Sequence, residues 1–197
     1  MKSLKLSLSL LVFIFLSIPL LAGPWLFGAW EMWWFWPFMS CIFAAFMVFA
    51  FSVLVSALYP PQQTEDKQPE PRAGLIMTAL ITFCIFLLYA VVSLFRKGVV
   101  YMDGERSLML FLSSFLIAIL VVFGLSEKQR KILFGMILAN ILLLGIYGMT
   151  NHLITGSRLV MWAPGYEQYV AEYRATGSFF CPDHFSGAME IGTAIAI

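Results

Sequence analysis

Residues 34–59 read "WFWPFMSCIFAAFMVFAFSVLVSALY". No Lys, Arg, Asp or Glu interrupts these 26 residues. A hydrocarbon core is about 30 Å thick, and about 20 apolar residues of helix cross it. In lipid every backbone N–H and C=O needs a partner within the protein, so a run of this length reads as a helix. Four more apolar runs stand around it, at 6–22, 74–95, 107–125 and 132–149. The composition agrees with a bilayer as the surrounding solvent. Hydrophobic residues make up 61% of the chain and charged residues 12%, against about 25% charged in a soluble domain. The fold class expected is an all-α integral membrane protein, a polytopic bundle of about five complete transmembrane helices plus the start of a sixth.

Charge excludes one class of partner and orients the rest. A net charge of +1 offers no basic surface for nucleic acid. Lys2 and Lys5 before the first apolar run resemble the start of a signal peptide. Cleavage after Ala22, however, would put Leu20 where a small residue is preferred, so the run reads as a retained first helix. The segment 60–73, "PPQQTEDKQPEPRA", is polar and proline-rich and reads as an exposed loop. "SEKQRK" at 126–131 reads as a tight basic turn, and "RKGVVYMDGERS" at 96–107 as a linker of mixed charge. With the N-terminus in the cytoplasm, Lys2, Lys5, Lys67, Arg72, Lys128, Arg130 and Lys131 fall inside. Arg96, Lys97, Arg106, Arg158 and Arg174 fall outside. Positive charge favours the cytoplasmic side, which supports this orientation. The chain then divides into a five-helix transmembrane region at 1–149, an outer loop at 150–182 and the start of a sixth transmembrane helix at 183–197.

Five of the six tryptophans (Trp25, Trp30, Trp33, Trp34 and Trp36) crowd the first outer loop and the start of the second helix. Tryptophan favours the headgroup level, so they read as an interfacial belt; a sharper reading makes them a platform for a lipid-linked sugar. Cys41 and Cys84 lie in apolar runs and Cys181 in the outer loop, so no disulfide framework is expected. Cys181 and His184 are two candidate ligands where a structural zinc site needs about four, so no metal is expected.

The outer loop gathers the polar chemistry. In "YEQYVAEYR", Tyr166, Tyr169, Val170 and Tyr173 share one helical face. A short amphipathic helix over 166–174 is expected to lie along the membrane surface. Then comes "RATGSFFCPDHFSGAMEIGTAIAI", residues 174–197. Pro182 suits the first position of a helix, where its missing N–H costs nothing. Such a helix sets Asp183, Gly187 and Glu190 on one face. Ala188, Gly192 and Ala196 share another, at the spacing that lets membrane helices approach closely. Glu190 then lies about two turns into the sixth span. An ionisable group there is costly and usually faces protein or water.

Residues 174–197 resemble a segment of the O-antigen ligase and O-antigen polymerase superfamily of bacterial membrane proteins. In that family an arginine, a Gly-Thr-Phe step and an Asn-Pro-Asn-His-Phe-Ala-Gly stretch precede an apolar helix. Arg174 matches the arginine; Gly177, Ser178 and Phe179 match the Gly-Thr-Phe step; and Pro182, His184, Phe185, Ser186 and Gly187 match the rest. Cys181 and Asp183 replace the two asparagines, and cysteine is a poorer helix cap. The resemblance covers about 24 residues; upstream only hydropathy and loop order agree.

The resemblance implies a multi-pass protein of the bacterial inner membrane, with its N-terminus in the cytoplasm. It implies transfer of a glycan from a polyprenyl pyrophosphate donor to a hydroxyl of a saccharide, lipid or protein acceptor on the outer side. No cofactor or metal is implied. Arginines and helix N-termini suit the growing charge of the pyrophosphate, and a base must take the acceptor proton. Arg174, His184, Asp183 and Glu190 are the substrate-binding candidates. The catalytic base is expected beyond residue 197. The chain is accordingly read as an N-terminal portion, inactive on its own. Two other classes compete. A transporter or channel usually carries buried charge near the midplane. Here the five runs hold almost no ionisable groups, and Asn140 is their main internal polar residue. A non-catalytic membrane scaffold is the other.

Overall fold

The structure is a computed structural model that describes residues 2–26, 32–59, 73–96, 101–155 and 182–196. Among the described residues six α-helices follow one another: α1 Lys2–Ala22, α2 Met32–Leu58, α3 Ala73–Arg96, α4 Tyr101–Ile119, α5 Glu127–Thr155 and α6 Pro182–Ala196. A 3₁₀ turn, Gly23–Trp25, extends α1, and a π turn, Leu120–Gly124, closes α4. Four stretches among the described residues are long and apolar enough to cross a membrane: Leu6–Trp25, Trp34–Leu58, Glu105–Gly124 and Glu127–Thr155. The proline-rich loop and the expected surface helix at 166–174 lie outside the described residues.

Three boundaries differ from those expected, each for a physical reason. The segment 126–131 is not a basic turn; α5 already begins at Glu127. Ser126 and Gln129 form a capping box. The Gln129 backbone N–H donates to Ser126 Oγ at 3.3 Å, and the Ser126 N–H donates to Gln129 Oε1 at 2.9 Å. Arg130 Nη1 donates to the Val122 carbonyl at 3.3 Å, covering an acceptor left by the closing turn of α4. The basic residues therefore decorate a helix start. Lys131 pairs with Glu127 one turn back at 2.7 Å, fully in solvent's reach, where such a pair adds little.

The second difference is at α4, which begins at Tyr101, inside the stretch expected to be a linker. Asp103 and Glu105 stand in its first turns, the sign a helix N-terminus favours. The third is at α5, which runs on to Thr155, so residues 150–155 are helix and not outer loop. Thr150 and Thr155 donate their hydroxyls to the carbonyls of Ile146 and Asn151, both at 2.8 Å, and so stay within the helix.

The core forms where α1, α2, α4 and α5 meet. Val12 and Leu16 of α1 pack with Ala45 of α2, with Leu120 and Leu125 around the π turn, and with Leu133 of α5. A second cluster joins Phe35, Met39 and Ile42 of α2 to Leu116 of α4. Lipid is as apolar as leucine, so association of membrane helices rests on packing and interhelical hydrogen bonds. Both are present. Ser9 of α1 donates to Gln129 Oε1 at 2.8 Å, and Gln129 Nε2 donates to the Ser9 carbonyl at 3.2 Å. α3 rests on α4 through aromatic pairs: Phe83 stacks on Phe115 at 5.0 Å and Phe86 meets Phe111 edge-on at 5.3 Å. Large apolar side chains such as Leu88 at 65% and Leu153 at 80% exposure face outward, which is compatible with a multi-pass membrane protein.

Candidate functional site at one end of the bundle

α1 and α5 run parallel, and α2, α4 and α6 begin at the end where those two finish. Three polar corners stand at that end. Trp25, just past α1, donates its indole N–H to Asn140 Oδ1 at 2.7 Å. Asn140 Nδ2 in turn donates to the Leu21 carbonyl at 2.9 Å. The Trp25 ring lies 5.6 Å from that of Tyr147. Asn140 is thus a satisfied bridge that fixes the exit of α1 to α5. Trp25 is more than a member of a lipid-facing belt, since its polar edge is bound to protein.

The second corner belongs to α2 and α4. Arg106, half-buried, sets its guanidinium 5.0 Å from the centre of the Phe35 ring. A cation over an aromatic face gains about 0.5–2 kcal/mol, more as water is excluded. Phe35 is almost wholly buried, while its chain neighbours Trp34 and Trp36 are exposed. Trp36 meets Phe35 edge-on at 5.2 Å and Trp34 stacks on Phe38 at 6.4 Å.

The third corner is the start of α6. The helix begins at Pro182, so Asp183 and His184 stand in its first turn, at its positive end. The side chains of these three residues lie outside those described. Arg174 lies wholly outside the described residues. Glu190 is exposed on α6. Gly192 is buried against α5, where a Cβ would stand 2.6 Å from Ile141 Cγ2, and a Cβ on Gly145 would stand 3.3 Å from the Met189 sulfur. The small residue at 192 therefore seats α6 on α5, with Glu190 off that seam.

The same antiparallel register brings Asn151 and His152, in the last turns of α5, level with the first turn of α6. Neither was singled out from sequence. Asn151 is fully buried. Its Oδ1 accepts from Thr155 Oγ1 at 3.3 Å, while its Nδ2 makes no hydrogen bond. A buried donor without a partner costs about 1–3 kcal/mol. The signal that would have found the pair is slight: two polar residues closing an apolar run. Among the described residues no three His, Cys, Asp or Glu side chains gather as a metal site requires. Cys41 is half-buried and Cys84 exposed, both as free thiols.

No protein-family model, curated protein or solved structure matches this chain.

Proposed function

We propose that this chain belongs to a membrane glycan transferase of the O-antigen ligase-like or polymerase-like type. In this reading it spans the bacterial inner membrane with its N-terminus in the cytoplasm, and α3 joins the four long apolar helices as a fifth span. The observation that carries the proposal is the segment 174–197. Its Arg, Gly-Ser-Phe and Pro-x-His-Phe-Ser-Gly frame leads into a helix whose first residue is Pro182.

The reaction is a substitution at the anomeric carbon of the donor. The acceptor hydroxyl oxygen forms the new glycosidic bond, and the bond from that carbon to the pyrophosphate oxygen breaks. The polyprenyl pyrophosphate leaves with the electron pair, and the hydroxyl proton passes to a base. The leaving group gathers negative charge, so it needs donors rather than a nucleophile. Arginine supplies a planar fork that fits phosphate oxygens. The N-terminus of α6 adds about half a positive charge. His184 is assigned as a further donor to the same phosphate. Asp183 and Glu190, as acceptors of hydrogen bonds, are assigned to the hydroxyl side.

The test is binding of a polyprenyl pyrophosphate-linked glycan to the protein in lipid nanodiscs. Hydrogen bonds to charged groups contribute about 1.5–3 kcal/mol, so Arg174→Ala should weaken donor binding by about 10- to 100-fold. Arg174→Lys, which keeps the charge and loses the fork, should fall between. Wild-type affinity in Arg174→Ala with normal insertion removes the pyrophosphate role, and absence of donor binding by the unaltered protein removes the proposal.

A further inference from the structure

The end of the bundle opposite the start of α6 has a charge pattern of its own. Two hydrogen bonds set the start of α1 beside the start of α5: Ser9 Oγ donates to Gln129 Oε1, and Gln129 Nε2 donates to the Ser9 carbonyl. The end of α4 joins them. A Cβ on Gly124 would stand 3.4 Å from both Phe49 of α2 and Val12 of α1, so these residues lie at about one height. From that height α1 runs about 15 Å outward to Lys2, and α2 about 15 Å outward to Tyr59. Lys2 and Lys5, in the first turns of α1, and the exposed Tyr59, just past α2, thus mark one level. Lysine and tyrosine favour the headgroup layer. Gln129 is level with Ser9, so the start of α5 stands about one helical turn short of Lys5.

Five cations belong to this end: Lys2 and Lys5 on α1, and Lys128, Arg130 and Lys131 on α5. On those helices one carboxylate opposes them, Glu127, and Lys131 already pairs with it. The segment 60–72 that follows α2 carries Glu65, Asp66 and Glu70 against Lys67 and Arg72, which leaves the surplus positive. Arg130 is half-buried and held by the bond from its Nη1 to the Val122 carbonyl. Its other guanidinium N–H groups take no protein partner among the described residues, and exposed Lys128 takes none either. Apolar surface begins in the next turn. Ile132 and Met136, both exposed, follow Lys128 at four-residue steps on one face of α5, and exposed Phe134 follows Arg130 in the same way. A ligand that meets both parts carries an anionic head and an apolar tail.

We propose that the starts of α1 and α5 form a collar that binds anionic phospholipids, with Lys128 and Arg130 on the phosphates and Ile132, Met136 and Phe134 along the acyl chains. Lys128 and Arg130 stand on different faces of α5, so each heads its own lipid. A lysine stem lies along apolar surface while its ammonium reaches outward, which closes the one-turn gap to the level of Lys5. The Arg130 guanidinium, fixed at Val122, presents its remaining N–H groups in a planar fork that fits phosphate oxygens. A basic residue at an anionic bilayer surface adds about fivefold to binding. A zwitterionic phospholipid has the same phosphate, but its ammonium brings positive charge to the same cations and cancels that gain. The collar rests on membrane insertion alone and not on glycan transfer.

Native mass spectrometry of the protein in neutral detergent tests the collar, with phosphatidylglycerol and phosphatidylcholine of the same acyl chains as probes. The unaltered protein should hold phosphatidylglycerol about tenfold more tightly or better. Lys128→Gln should lower that ratio by about fivefold, and Lys128→Gln with Arg130→Gln should lower it further. Lys128→Arg, which keeps the charge, should preserve it. Lys128 is exposed, so its variants decide the matter even where loss of the Arg130 bond disturbs folding. Free glycerol phosphate, a head without tails, should not displace the lipid. Equal affinity for the two lipids in the unaltered protein overturns the proposal, as does an unchanged ratio in folded Lys128→Gln. Displacement by glycerol phosphate, or tighter retention of a polyprenyl phosphate at the same residues, overturns it too. The donor-binding test above reads the opposite end of the bundle, so the failure of one leaves the other standing.

Discussion

Replacing Asn140 isolates the bridge that ties α1 to α5. Asn140→Ala removes the acceptor of the Trp25 indole N–H, at 2.7 Å, and the donor to the Leu21 carbonyl, at 2.9 Å. Interhelical hydrogen bonds in membranes average about 0.6 kcal/mol and reach about 1.7 kcal/mol. Two lost together come to about 1–3 kcal/mol. The indole N–H and the carbonyl are left without this partner in a half-buried corner, which pushes the value toward the upper end. Asn140→Leu separates polar loss from lost volume, since leucine refills the space and makes neither bond. Leu143→Ala is the control, because Leu143 is 58% exposed and takes no part in the two hydrogen bonds of the bridge. Unfolding in nanodiscs or mild detergent, followed by steric trapping, measures all three. Both Asn140 variants should be destabilised by similar amounts, with Leu143→Ala near wild type. Stabilities within about 0.5 kcal/mol of wild type for both Asn140 variants would refute the bridge, because mere packing tolerates the leucine.

Other outcomes follow from the same contacts. Gly192→Ala should loosen α6 from α5, because its Cβ would stand 2.6 Å from Ile141 Cγ2; disulfide trapping between cysteines placed on α5 and α6 should become less efficient. Gly145→Ala should be tolerated in the same assay, since the atom it meets, at 3.3 Å, is the flexible Met189 sulfur. Leu16→Ala, at a position with no exposure, should cost about 2–5 kcal/mol of stability in the unfolding assay. For orientation, Gln63→Cys should escape an impermeant reagent applied outside intact cells while Gly156→Cys reacts; the reverse pattern inverts the topology.

The apolar runs were legible because unbroken hydropathy over about 20 residues points to one element, the helix. Trp34–Leu58, with no charge, is a helix in the structure nearly to the residue expected. Boundaries were legible only where the chain's own polarity changes sharply. At 126–131 the charge suggested a turn, but a Ser-x-x-Gln capping box converts it into the first turn of α5. At 150–155 polar side chains suggested a loop. There the two threonines fold their hydroxyls back onto the helix and remain within it. Charge and polarity describe what surrounds a segment, whereas capping describes what the backbone can do, and the two separate at helix ends.

The candidate site divides along the same line. Pro182 as a helix start follows from local chemistry, because proline lacks the N–H that the first turn leaves unused. Asn151 and His152 were not legible, because their place beside α6 depends on which glycines seat against which side chains across the pair. Glu190 shows the difference most clearly. Its depth counted along its own helix is about two turns, but α6 starts level with the end of a helix that outruns α1. The stagger is set by Ser9 with Gln129, Leu21 with Asn140 and Gly192 with Ile141. Each joins residues far apart in the chain, and none is visible in a local pattern.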